Sequence, residues 1–131
     1  MTRAPDTIGG LMTRDVVTVT PDDRVRDALR KMIAHDIGSV VVVEGDLAVG
    51  VFTERDVTRH VLDDVGLLDE RVGDLMTSPV VSVGVDAQVV DVFDLLTQNG
   101  IRRLPVLDGG RLVGIVTEGD LRRWVGQVAR E

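Results

Sequence analysis

Two four-residue stretches hold the side chains best placed to do chemistry: Thr53-Glu54-Arg55-Asp56 and Thr117-Glu118-Gly119-Asp120. Each sets a hydroxyl three residues ahead of a carboxylate, and each follows Gly and two apolar residues (Gly50-Val51-Phe52, Gly114-Ile115-Val116). A Thr that opens a helix leaves backbone N–H donors at a positive dipole end. That favours an anion by about 0.3–1 kcal/mol when exposed. An Asp in the same first turn can accept from a vicinal diol. The same spacing also makes a capping box, in which both side chains serve only the helix start. Gly50 and Gly114 fall inside strand-like runs, where a missing side chain admits a ligand or another backbone.

Around these stretches the two copies differ. Arg102 and Arg103 are neighbours in an extended segment, so only one can face a site at the second stretch. Arg103 is the expected phosphate partner. Gly38 and Ser39 hold the corresponding places in the first copy, where Arg55 stands in for Gly119. The expectation is two similar sites of unequal ligand or affinity, with the one at Thr117 and Asp120 the stronger. His35 and His60 each fall near a helix end, where a favourable charge explains them more simply than a metal. Asp22-Asp23 and Asp63-Asp64 are adjacent pairs that do not converge as an acid and base would. No nucleophile elbow, phosphate-cradling glycine loop with Lys, or His-Glu-x-x-His is present. The sequence therefore reads as a protein that is not an enzyme.

The elements that would position these residues repeat with them. Val16-Val17-Thr18-Val19 is a short β-branched run, and Pro21-Asp22-Asp23 is a helix-start signal with Asp22 or Asp23 as cap. Val25, Ala28, Leu29, Met32 and Ile33 then make the stripe of an amphipathic helix. Residues 39–43 and 47–52, joined across Glu44-Gly45-Asp46, read as a hairpin, and Thr53 opens the next helix. The same order recurs 64 positions on: the run 80–83, a helix capped by Asp86 and ended by Asn99-Gly100, a hairpin over 104–107 and 112–116, and a helix from Thr117. Superposing 11–59 on 75–123 gives 18 identities in 49 positions, so the chain is an internal duplication. Residues 60–71 read as an acidic connector leading to a short helical turn, and residues 1–10 as a poorly ordered start. Trp124, on the stripe Leu121, Trp124, Val125, Val128, is expected to anchor a dimer contact ahead of packing internally.

Composition narrows the function classes. At 131 residues, 44% apolar and 28% charged, the chain suits one soluble globular unit. Lack of cysteine excludes disulfides and thiolate chemistry. No apolar run is long enough to span a bilayer, and the first residues lack a signal-peptide core, so a cytoplasmic protein without membrane partners is expected. The net charge of −7, with no Lys/Arg run, argues against binding nucleic acid.

The ordered signals resemble the cystathionine-β-synthase (CBS) domain family. They are Met76-Thr77-Ser78-Pro79-Val80-Val81-Ser82-Val83, Gly100-Ile101-Arg102-Arg103-Leu104-Pro105-Val106-Leu107 and Leu112-Val113-Gly114-Ile115-Val116-Thr117-Glu118-Gly119-Asp120, with a looser first copy. The resemblance implies an α/β (α+β) fold of two β-α-β-β-α repeats, at 8–64 and 72–128, paired with pseudo-twofold symmetry into a stand-alone tandem module. It implies inter-repeat clefts for an adenosine-containing regulatory ligand: AMP, ADP, ATP or S-adenosylmethionine. No cofactor is required. The implied site residues are Thr53, Arg55, Asp56, Thr117, Glu118, Asp120 and Arg103, with Ser39, Val16 and Val80 as walls. A homodimer and a protein partner that reads the conformational change complete the expectation. The alternative is a dimeric interaction module with empty clefts.

Overall fold

A computed structural model describes residues 3–131. Its chain divides into two compact units that do not coincide with the sequence repeats. One is contiguous, Val16–Val80; the other is split, joining Met1–Asp15 to Val81–Glu131. The fold class is mixed α/β, as expected, with helices and three-stranded pairings in each unit.

In the contiguous unit β1 (Thr18–Val19) pairs in parallel with β2 (Ser39–Glu44), which pairs antiparallel with β3 (Leu47–Thr53). The β2–β3 turn uses Gly45 at φ 64°, a left-handed conformation that costs glycine little. Helices α1 (Val25–His35), α2 (Glu54–His60) and α3 (Val72–Leu75) complete the unit. Val40 and Val42 are two apart and so share one sheet face. They pack with Phe52 against Val25, Ala28 and Met32 of α1, and with Leu67 and Val72.

The split unit repeats this arrangement 64 residues later. It contains β4 (Val83–Gly84), α4 (Val89–Asn99), β5 (Arg103–Asp108), β6 (Arg111–Thr117) and α5 (Glu118–Ala129). Leu104 and Val106 pack with Val116, Val89, Val92, Leu96 and Leu121. Trp124 lies half-buried in the same unit, its ring 5.8 Å from that of Phe93 and its indole N–H donating to the Pro5 carbonyl at 2.6 Å. The expected dimer anchor is thus an internal packing residue.

Three expectations need correction. The β-branched runs at 16–19 and 80–83 form only the two-residue strands Thr18–Val19 and Val83–Gly84, leaving Val16 and Val80 outside any strand. Parallel pairing to β2 and β5 extends over just two residues each. Asp22, Asp23 and Asp86 do not cap α1 and α4. The caps are Arg24 and Gln88, neither bonding through its side chain. Instead the first N–H of each helix donates to a carbonyl from a distant segment, Val25 to Glu70 and Val89 to Asp6, both at 2.9 Å. The described part of the first ten residues is ordered. Ile8–Gly10 form a turn of 3-10 helix, and Ile8 is fully buried. Met1 and Thr2 lie outside the described residues.

The second and third corrections share one cause. Residues 6–13 stand to the split unit as residues 70–77 stand to the contiguous one. Ile8 N–H donates to Ala87 and Gly9 N–H to Val85, while Val72 N–H donates to Asp23 and Gly73 N–H to Pro21. Each repeat therefore lends its leading segment to the unit built around the other repeat's hairpin.

Candidate functional site

The two Thr-x-x-Asp stretches are complete capping boxes. Thr53 and Thr117 end the strands β3 and β6 in extended conformation, and the next residue begins a helix. Asp56 accepts from the Thr53 N–H at 2.9 Å, and its own N–H donates to the Thr53 hydroxyl oxygen at 3.2 Å. The Thr117–Asp120 pair makes the same two bonds, at 2.9 and 3.1 Å. Further first-turn donors are also engaged: Glu54 N–H reaches the Gly38 carbonyl and Glu118 N–H the Arg102 carbonyl.

Both carboxylates are buried, Asp56 at 3% exposure and Asp120 at 2%. Burying a charge is costly unless donors surround it, and each carboxylate has three kinds of donor. Besides the capping bonds, Thr77 donates its hydroxyl to Asp56 at 3.0 Å, and Thr13 lies 3.4 and 3.5 Å from the two Asp120 oxygens. Arg59 approaches Asp56 at 3.9 Å, whereas Arg123 is in direct contact with Asp120. Sequence reasoning gave no role to Thr13, Thr77, Arg59 or Arg123. The signal was available, since Met-Thr and Asp-x-x-Arg occur at matching places in both copies.

Gly50 and Gly114 are spaces for a backbone and a methionine. A Cβ on Gly50 would stand 2.5 Å from Met76 Sδ and 3.1 Å from the Thr77 carbonyl oxygen. On Gly114 it would stand 2.5 Å from Met12 Sδ and 2.9 Å from the Thr13 oxygen. Val51 exchanges both backbone hydrogen bonds with Thr77, and Ile115 does so with Thr13. Of the two uses open to these glycines, the close approach of another backbone is the one observed.

The surroundings of the two junctions are chemically opposite. Arg103 sits directly across β5–β6 from Thr117, and Ser39 holds the same register across from Thr53. Burial pushes the Arg103 guanidinium below its ordinary pKa, an effect partly offset by the Asp120 carboxylate. Its Nε is buried without a hydrogen-bond partner. Arg102 beside it is exposed. In the contiguous unit the Arg102 position is Gly38, and the Glu54 carboxylate lies over it, 3.3 Å from where a Cβ would be. Arg55 and Glu118 are exposed, while Val16, Val80 and Ser39 are half-buried members of the contiguous unit. The structure thus joins Ser39, Thr53 and Asp56 in one junction, and Arg103, Thr117 and Asp120 in the other.

A duplicated strand-to-helix junction, a Met-Thr segment braced on its Asp, and a hairpin with a glycine facing that segment are all in place. The CBS domain model matches residues 8–63 and 72–127. The chain belongs to the CBS domain family. This CBS pair is 40% identical over 117 residues to a protein of Methanopyrus kandleri, covering 87% of the chain and 60% of that relative. It is 34% identical to the CBS domain-containing protein YhcV of Bacillus subtilis, covering 92% of the chain and 84% of the relative. Among solved structures, CBSX2 in complex with AMP aligns with a TM-score of 0.86 at 30% identity, covering 96% of this chain and all of that one. No helix among the described residues is long and apolar enough to cross a membrane.

Proposed function

We infer that this CBS pair is a regulatory module, not an enzyme, and that it binds an adenosine-containing nucleotide through the split unit. The observation that carries this reading is the buried, unpartnered Nε of Arg103 across from Thr117 at the start of α5. An arginine keeps its charge and offers a planar fork suited to phosphate. A phosphate there would satisfy Nε and draw on the positive end of a 12-residue helix. CBSX2, alike in fold over its whole length, binds AMP. That likeness favours AMP over the alternatives ADP, ATP and S-adenosylmethionine. Thr117, Glu118 and Asp120 are the remaining site residues.

The contiguous unit supports a second, different reading of its own junction. Thr53, Arg55 and Asp56 are present, but the Glu54 carboxylate lies where the split unit has Arg102. With Gly38 and Ser39 where the split unit sets Arg102 and Arg103 beside its own Glu118, no arginine at these positions offsets the Glu54 carboxylate, which leaves this junction without nucleotide and Ser39, Val16 and Val80 serving packing. Binding in one unit would shift the population of arrangements of a cytoplasmic homodimer, and a protein partner would read the shift.

The test is thermal unfolding with AMP, ADP, ATP and S-adenosylmethionine at millimolar concentration. At a ligand level about a hundred times Kd, stabilisation reaches about 2.7 kcal/mol. Arg103→Gln should cut that stabilisation by about half, to about 1.4 kcal/mol at the same ligand level, while its ligand-free melting stays close to the parent's. Asp120→Ala is the poorer probe, because removing that carboxylate unseats the cap and the Thr13 brace together. Failure of every ligand to raise the melting temperature would sink the reading. Native mass spectrometry reports any co-purifying nucleotide and the subunit number at once.

A further inference from the structure

The outer face of α5 carries an open trough of about 500 Å³ lined by Arg122, Arg123, Gly126, Gln127 and Arg130. It lies opposite Leu121 and Trp124, which pack inward. In a chain of net charge −7, the trough is lined by three arginines and by no carboxylate. Arg123 holds Asp120, whereas Arg122 and Arg130 make no ion pair among the described residues. Arg130, at the C-cap, suits the negative end of the helix, but Arg122, in the second turn, gains nothing from it. We propose that this trough docks an extended acidic segment of a partner protein, which sets two carboxylates four residues apart on Arg122 and Arg130.

Gly126 lies between those two arginines. Its backbone is helical, and an added Cβ would meet only Arg130 Nη1, at 3.6 Å, an ordinary contact. Neither conformation nor packing calls for glycine here, although glycine weakens a helix interior. The missing side chain leaves room for a second chain to lie close to the helix. Arg122 and Arg130 are eight residues apart, ~12 Å along the axis at ~1.5 Å per residue. Arg130 leans back over Gly126, as helical side chains do, so the spacing carries over to the guanidinium groups. An extended segment rises ~3.3 Å per residue and alternates its side chains, so its positions i and i+4 face the same way ~13 Å apart. Nucleic acid fits worse, because its unbroken row of phosphates would run past three cations onto a chain of net negative charge. The contiguous unit has no counterpart. Thr58, Leu62 and Gly66 stand in place of Arg122, Gly126 and Arg130, and α2 ends at His60.

This assignment rests on the protein-partner part of the functional reading and not on the nucleotide. Fluorescence anisotropy of the full chain at low salt, with a labelled serine-spaced peptide bearing two glutamates four positions apart, should show saturable binding below about 1 mM that weakens as salt rises. Setting the glutamates three apart, on opposite faces of an extended chain, should weaken binding about fivefold, as should Arg122→Ala or Arg130→Ala. Gly126→Leu should weaken binding by a similar factor yet raise the melting temperature, which loss of a glycine kept for packing would not do. If the two peptides bind alike, or neither arginine variant weakens binding, the trough is only a solvated helix face. Displacement of the peptide by tripolyphosphate or an oligothymidylate at about tenfold lower concentration would make the trough a phosphate site and overturn the peptide assignment. No binding at about 1 mM peptide, with AMP still raising the melting temperature, overturns the trough alone and leaves the nucleotide reading standing.

Discussion

The contiguous and split units are built by one plan and differ where a phosphate would sit. In both, a threonine closes a strand, a buried aspartate caps the following helix, and a second threonine from the exchanged segment braces that aspartate. Around this shared frame, one unit places Arg103 and Arg102 and the other places Ser39 and Gly38 beneath Glu54. The frame is structural and common to both; the flanking residues carry the difference. A repeated Thr-x-x-Asp therefore identifies the junction, and only its neighbours say whether the junction is suited to an anion.

The shared part should fail alike in both units. Gly114→Ala and Gly50→Ala force a Cβ against a methionine sulfur and a backbone oxygen. Each should cost about 2–3 kcal/mol by denaturant unfolding, since overpacking against backbone relaxes poorly. Gly114→Ala should be the worse, its backbone oxygen being nearer. Equal tolerance of alanine at both would mean that the exchanged segments are not seated as described. Next in size, Asp56→Ala and Asp120→Ala should each cost about 1–2 kcal/mol through loss of the cap.

The part that differs should separate the units. Arg103→Gln should weaken nucleotide binding about tenfold, in line with about 1.5 kcal/mol for a hydrogen bond to a charged group. Isothermal titration would measure it. The converse variant, Ser39→Arg with Glu54→Gln, should raise the stoichiometry toward two ligands per chain. An unchanged stoichiometry would place the discrimination elsewhere than in these neighbours. The smallest effects belong to the exposed arginines. Arg59→Ala should change stability by less than ~0.5 kcal/mol, because an arginine this exposed at 3.9 Å is a weak partner, and Arg123→Ala by more, because it directly contacts a carboxylate that is 2% exposed.

Much of this was legible in the residues. The 64-residue period, both hairpins, the glycine-ended α4 and the Thr-opened helices follow from alternation, turn glycines and the 3.6-residue stripe. Asp36, at φ 53°, takes the left-handed helix-ending position that Gly100 holds in the second copy. The exchange of leading segments was not legible, for a physical reason. Leu-Met-Thr is identical in both copies, so either copy satisfies either glycine, and no sequence pattern says which one packs where. The caps failed for the same cause. Asp22, Asp23 and Asp86 are good local candidates, but carbonyls of Glu70 and Asp6, some 45 and 83 residues away from the N–H groups they serve, fill the role instead. Ile8 had no periodic neighbours to mark it as core, because the other buried members of its cluster run from Val89 to Leu121.

The exchange also sets an order of assembly during synthesis. Everything needed for the contiguous unit has been made once Val80 leaves the ribosome. The split unit must wait for Val81–Glu131, while its own early portion, up to Asp15, has no partner to pack on. When the later unit does form, the intervening 65 residues can already be compact, so bringing its two portions together closes a folded loop in place of a floppy one. Nascent chains halted once Val80 has cleared the ribosome should protect Phe52 and Val42 from exchange, while Ile8 stays open to solvent until α5 has emerged.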